Sequence, residues 1–166
     1  KIGVIGTRAT VNSEAYVKGI HNLNNDKEIR VFSKACPLFV PLVEEGWTKH
    51  PIARQIAEEY LADLKKVDID TLVLGCTHYP LLNQLLTEIL PKVALIDSGE
   101  HASVTALRLL AEQNILREET KDYHQKPDID FFVTDLPSMF FDLAKQFLGF
   151  PDRKSTRLNS SHRYVS

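Results

Sequence analysis

Short runs of β-branched and aromatic residues alternate along this chain with longer stretches whose apolar residues recur every three or four positions. The short runs are Ile2–Ile5, Ile29–Phe32, Thr71–Leu74, Val93–Ile96 and Ile129–Val133. They are brief and lack polar alternation, which predicts strands buried on both faces. Between them, Ile52, Ile56, Tyr60, Leu61 and Leu64 share one helical stripe, with Glu58, Glu59, Asp63 and Lys65 off it. Pro51 suits the first position of that helix. A second helix is predicted from Pro80 through Leu81, Leu82, Leu85, Leu86 and Ile89, and Pro91 stops it. A third carries Val104, Leu107, Leu110 and Ala111, and a fourth Met139, Phe140, Leu143, Ala144 and Phe147. This alternation predicts an α/β protein, an open and mostly parallel sheet with helices on both faces.

Composition narrows the function classes. In 166 residues, 43% are hydrophobic and 25% charged, enough to bury a core in one ordinary domain. A formal charge of −2 offers no basic excess for nucleic acid, and the apolar runs are far too short for a membrane span. Two cysteines, Cys36 and Cys76, make no disulfide framework, so a reduced, cytoplasmic setting is expected. The chain opens inside a predicted strand and reads as a piece of a longer protein. The polar stretch from Asn114 to Asp128 fits either a surface loop or a passage between lobes. Residues 151–166 hold Arg153, Lys154, Arg157 and Arg163 against Asp152 alone, with no apolar period. A basic nucleic-acid arm is one reading; a disordered, non-native tail is the one adopted.

In an open α/β sheet, ligands bind at the carboxyl ends of the strands. Three such junctions are rich in small hydroxyl residues: Gly6-Thr7-Arg8-Ala9-Thr10, Gly75-Cys76-Thr77-His78-Tyr79-Pro80 and Asp97-Ser98-Gly99. Backbone N–H groups and hydroxyls there suit a carboxylate or phosphate, although turns favour the same residues for conformational reasons. Cys76 lies between a strand and a helix N-terminus, a position that lowers a thiol pKa, and His78 can add charge or a proton. The alternative is an inert cysteine at a strand end. Cys36, inside an apolar stretch, reads as a packed core or loop residue. A zinc site from Cys36, Cys76 and His78 matches no closed spacing pattern. Glu44 and Glu45 open an acidic loop before Gly46-Trp47, and one of them could orient His78.

The segment Leu74-Gly75-Cys76-Thr77-His78-Tyr79-Pro80-Leu81-Leu82 closely resembles the second active-site segment of bacterial glutamate racemases. Gly3-Val4-Ile5-Gly6-Thr7 with Ala9-Thr10 and Tyr16, the stretch from Ala35 to Gly46, and Asp97-Ser98-Gly99 agree in order and spacing. The resemblance covers residues 1 to about 150. It implies a cofactor-free enzyme of two α/β lobes that interconverts L- and D-glutamate with two cysteines, one on each face of the α-carbon. It also implies D-glutamate supply for peptidoglycan synthesis, and racemases of this family often pair as homodimers. Carried onto this chain, Cys76 is the second catalytic cysteine, His78 assists it, and Glu44 is the acidic residue associated with that histidine. Thr77 and Thr10 are substrate contacts, and Cys36 has no catalytic role.

The departures from the family are as informative. The first-lobe Asp-Ser-Gly segment and the Cys-Asn-Thr-Ala-Thr turn are not in this sequence. Residues 1–97 are therefore expected to form the second lobe, and 98–150 a returning segment that completes the first. The chain alone is expected not to racemise glutamate. Aspartate racemase is the nearest alternative, although those enzymes carry an acidic residue after Cys-Thr. A non-catalytic lobe that binds a dicarboxylate is another, and a Cys–His hydrolase lacks a secure third group.

Overall fold

The computed structural model describes residues 1–23, 28–116, 131–133, 144, 147 and 156–158, with backbone alone for 131–133 and 156–158. Two compact units partition the chain, Lys1–Asn114 and Ile115–Ser166.

In the first unit, strands β1 (Ile2–Gly6), β2 (Val31–Ala35), β3 (Thr71–Gly75) and β4 (Ala94–Asp97) form one parallel sheet in the order β2-β1-β3-β4. Helices α1 (Arg8–Ser13) and α2 (Ala15–Leu23) follow β1, and α3 (Phe39–Glu44) and α4 (Pro51–Lys66) follow β2. A 3₁₀ turn (Tyr79–Leu82) and α5 (Asn83–Ile89) follow β3, and α6 (Ser98–Glu112) follows β4. The register pairs Gly6 with both Ala35 and Gly75, and Leu74 with Asp97. All four carboxyl ends thus finish level, and the loops that follow them emerge along one edge.

Strand alternation sends Ile5, Leu72 and Leu74 to one face, all fully buried, where Leu64 of α4 reaches over Gly3. Thr10, Tyr16 and α6 lie over the other face, where Val73 and Ile96 are only half-buried. Burial on both faces holds for β1, whereas β2 and β4 at the sheet edges stay partly open. Helices do cover both faces, as the strand–helix alternation predicts.

Helix α4 begins where Pro51 predicts. His50 caps it through Nδ1, which accepts from Ile52 N at 3.2 Å, and Lys65 and Lys66 occupy the last turn, favourable to the dipole. Its buried stripe is Ala53, Ala57, Leu61 and Leu64, one position round from the predicted one; Ile52 is exposed and Ile56 half-buried. The two alanines let the helix lie close to the sheet, which a stripe built on Ile52 and Ile56 would prevent. Helix α6 forms as expected, but Val104, Leu107 and Leu110 are exposed rather than buried, at 62%, 58% and 40%.

In the second unit, β5 (Phe131–Val133) pairs in parallel with β6 (Thr156–Leu158). Strand β5 falls within the predicted Ile129–Val133 run. Strand β6 lies in the stretch that composition reads as disordered; the rest of 151–166 is outside the described residues. Ala144 and Phe147 are helical, and the remaining positions of the fourth predicted helix are likewise outside them.

Candidate active site

The loop after β1 is built by two hydroxyls. Thr7 caps α1, its Oγ1 accepting from Thr10 N at 3.2 Å, and the two threonine hydroxyls lie 2.9 Å apart. Thr10 Cγ2 and Tyr16 Cε2 press against Gly75, where a Cβ would stand 2.9 Å from the Ile5 carbonyl and 3.0 Å from the Tyr16 ring. A glycine is required there by close approach, and it brings Thr10 beside the residue that precedes Cys76.

After β3 the chain turns at once. Tyr79 N donates to the Cys76 carbonyl at 3.1 Å and Leu81 N to the His78 carbonyl at 3.2 Å. The helix predicted from Pro80 opens instead as a 3₁₀ turn, and α-helical geometry begins only at Asn83. The dipole beneath Cys76 is therefore that of a single tight turn at its near end. Cys76 is half-buried, His78 is half-buried and Thr77 is exposed.

Glu44 is not in a loop. Phe39, Leu42 and Val43 bury one side of a short helix, and Glu44 is its last residue. The apolar period at 39, 42 and 43 is the signal that the acidic-loop reading passes over. That helix carries the Glu44 carboxylate to His78, with Oε1 3.3 Å from Nε2. On the other side of the ring, Nδ1 lies 3.5 Å from Thr77 Oγ1. A carboxylate on one imidazole nitrogen fixes the orientation of the ring.

Cys36 is sealed. Its side chain is fully buried, and desolvation pushes the thiol up to about 12, against a smaller opposing effect of the Lys34 charge. It is a packed cysteine, as its apolar surroundings suggest. Among the described residues, no group of three or more His, Cys, Asp or Glu could hold a metal. Asp97 is occupied as the cap of α6, with Oδ1 accepting from Gly99 N at 2.8 Å and Glu100 N at 3.4 Å, and Ser98 Oγ donates to the Leu74 carbonyl at 3.4 Å. The third hydroxyl-rich junction is thus accounted for by its own helix start.

Tyr79 ties the turn after β3 to the end of β2. Its ring is fully buried and its hydroxyl donates to the Cys36 carbonyl at 2.9 Å, across 43 residues of chain. Nothing local in the sequence marks so distant a partner. The cleft between α4 and α5, about 510 Å³ and lined by His50, Arg54, Glu58, Gln84 and Glu88 among others, includes none of the predicted site residues.

A doubly covered parallel sheet carrying a thiol, an imidazole and a carboxylate at its carboxyl edge defines a class, and the chain belongs to it: residues 1–106 match the Asp/Glu/Hydantoin racemase family. Among curated relatives, a glutamate racemase of Syntrophus aciditrophicus is 46% identical over 149 residues, 89% of this chain and 53% of that protein. A glutamate racemase of Chlorobium phaeobacteroides is 49% identical over 148 residues, 89% of this chain and 52% of that protein. The crystal structure of Francisella tularensis glutamate racemase in complex with D-glutamate superposes with a TM-score of 0.85 at 37% identity, covering 96% of this chain and 57% of that one. The chain spans about half the length of the curated relatives it matches.

Proposed function

We propose that this chain provides the Cys76 half of a glutamate racemase, in which L- and D-glutamate interconvert by removal and return of the α-proton. The carrying observation is the His78–Glu44 pair, 3.3 Å apart, with His78 on the turn that follows β3, two residues along the chain from Cys76. Inversion needs a base on one face of the α-carbon and an acid on the other, because a single group cannot reach both. In this reading the Cys76 thiolate takes the α-proton from one face, which leaves the electron pair on the α-carbon and its carboxylate. A second acid delivers a proton to the opposite face. His78, oriented by Glu44, assists Cys76 in moving the proton. Thr77 and Thr10, with the backbone N–H groups of the Cys76–His78 turn, hold the substrate carboxylates and the charge that builds on them.

The same reading assigns residues 1–97 to the lobe that carries Cys76 and 98–150 to the completion of its partner lobe, with 151–166 taking no part. It makes the enzyme cytoplasmic, independent of any cofactor, homodimeric, and a source of D-glutamate for peptidoglycan. The second acid is not Cys36, whose thiol is buried and held protonated. The chain alone therefore does not racemise glutamate. The test is protection of the thiol. D- and L-glutamate should slow iodoacetamide labelling of Cys76, followed by peptide mass spectrometry, and aspartate should protect far less. Labelling indifferent to every amino acid refutes the substrate assignment, and protection by aspartate alone moves it to that substrate. Racemisation by the purified 166-residue chain, followed by circular dichroism of the glutamate pool, would overturn the requirement for a second acid.

A further inference from the structure

Three aromatic rings join the two segments that bring His78 and Glu44 together. Phe39, the first residue of α3, meets Tyr79 edge-on at 5.3 Å and 86°, and Tyr60 of α4 edge-on at 5.3 Å and 76°. Both tyrosine hydroxyls then bond the backbone at the start of α3. Tyr79 OH donates to the Cys36 carbonyl at 2.9 Å, the same oxygen that accepts from Phe39 N at 3.1 Å. Tyr60 OH accepts from Leu38 N at 3.3 Å. Tyr79 is also closed onto the reactive turn through its own N–H, which donates to the Cys76 carbonyl at 3.1 Å. One residue therefore touches both carriers: the turn that presents Cys76 and His78, and the first turn of the helix that ends at Glu44.

We infer that Tyr79 is a positioning residue for the His78–Glu44 pair, acting through the Cys36 carbonyl and not by touching substrate. The inference rests on the reading of Cys76, His78 and Glu44 given above. Helix α3 has only six residues and carries Pro41, so it has few bonds of its own to hold its direction. Its origin is fixed by the bonds to Cys36 and Leu38 and by the ring of Phe39. A small swing at that origin would move the Glu44 carboxylate off His78 Nε2, at a separation of 3.3 Å that leaves little slack. Tyr79→Phe keeps the edge-on ring contact with Phe39 and removes only the hydroxyl.

The test is a mutant cycle read by the rate of Cys76 alkylation in the folded chain. Glu44→Gln should slow alkylation at pH 7.5 by about three-fold, and His78→Gln by about ten-fold. Tyr79→Phe should slow it as much as Glu44→Gln. The double variant should be no slower than either, and the pH–rate profiles of the three should coincide. A merely structural tyrosine would lower the unfolding midpoint and leave the alkylation profile unmoved, with Glu44→Gln retaining its full effect on top of Tyr79→Phe; that result overturns the inference. Should Tyr79→Phe fail to unfold cooperatively, the cycle is run on Tyr60→Phe, whose hydroxyl holds the same helix origin. Non-additivity with Glu44→Gln supports the clamp and additivity removes it. If His78→Gln and Glu44→Gln both alkylate at the parent rate, the imidazole–carboxylate reading itself fails, and the inference falls with it.

Discussion

At the residue scale the two cysteines are opposites in one chain. Cys36 is fully buried with its thiol pushed up to about 12, whereas Cys76 stands half-buried at the strand end. Thiolate is the nucleophile, so a thiol held protonated and sealed does not react. Native protein at pH 8 is expected to take up one iodoacetamide, on the peptide that contains Cys76, and guanidinium-unfolded protein two. Two adducts on the native protein would show that the core opens around Cys36. Gly75 makes a second test. A Cβ there would meet the Ile5 carbonyl at 2.9 Å, and a backbone oxygen in a central strand cannot move aside. Gly75→Ala should cost about 1–3 kcal/mol in urea unfolding, the range of overpacked cores, and should displace Thr10 and Cys76 together.

At the element scale, Asp97 shows how a motif divides between structure and chemistry. Its carboxylate accepts from two amides at the start of α6, so Asp97→Ala should cost about 1 kcal/mol of stability and reduce helicity in the far-ultraviolet spectrum. A variant as stable as the parent would show that the cap is dispensable. The alternation of strand and helix is readable from the sequence because buried strands and amphipathic helices have different periods. That pattern yields all four strands of the sheet, with ends within two residues for three of them and within three for β2. Helices α1, α2 and α3 are not legible in that way. They bury no residue or only three, so their periodicity is short and is interrupted by Gly19 or Pro41. The stripe of α4 is misread by one position because Ala53 and Ala57 carry little hydrophobic weight but allow the closest approach. Of the candidate site, the Cys76–His78 segment is visible since it is contiguous. The arrival of Glu44 at His78 depends on the direction of α3, and the bond from Tyr79 to Cys36 on the tertiary fold, which no local pattern encodes.

At the scale of the whole molecule, the buried ionisable groups set how stability depends on pH. Desolvation raises both Cys36 and Tyr79 above their ordinary values, and neither is offset by a cation strong enough to restore it. A group whose pKa is higher folded than unfolded binds its proton more tightly in the native state. Its contribution is fully present below the unfolded value, about 8.5 for a thiol and 10 for a phenol, and is lost as pH rises toward the folded value. For Cys36 the window runs from about 8.5 to about 12, with a slope of roughly 1 kcal/mol per pH unit while the unfolded thiol is ionised and the native one is not. Tyr79 adds to the same slope above about pH 10. The single tryptophan, Trp47, lies just beyond α3 and stacks on His50, the cap of α4, so its fluorescence follows unfolding of that junction. Urea midpoints followed by its fluorescence should stay level from pH 7 to 8.5 and then fall steadily. In Cys36→Ala the protein should be less stable at every pH, because the core loses packed atoms, yet the decline between pH 8.5 and 10 should flatten. Equal slopes in parent and variant would mean that the Cys36 thiol ionises as readily in the native protein as in the unfolded chain, and that the core beneath the candidate site is open to water.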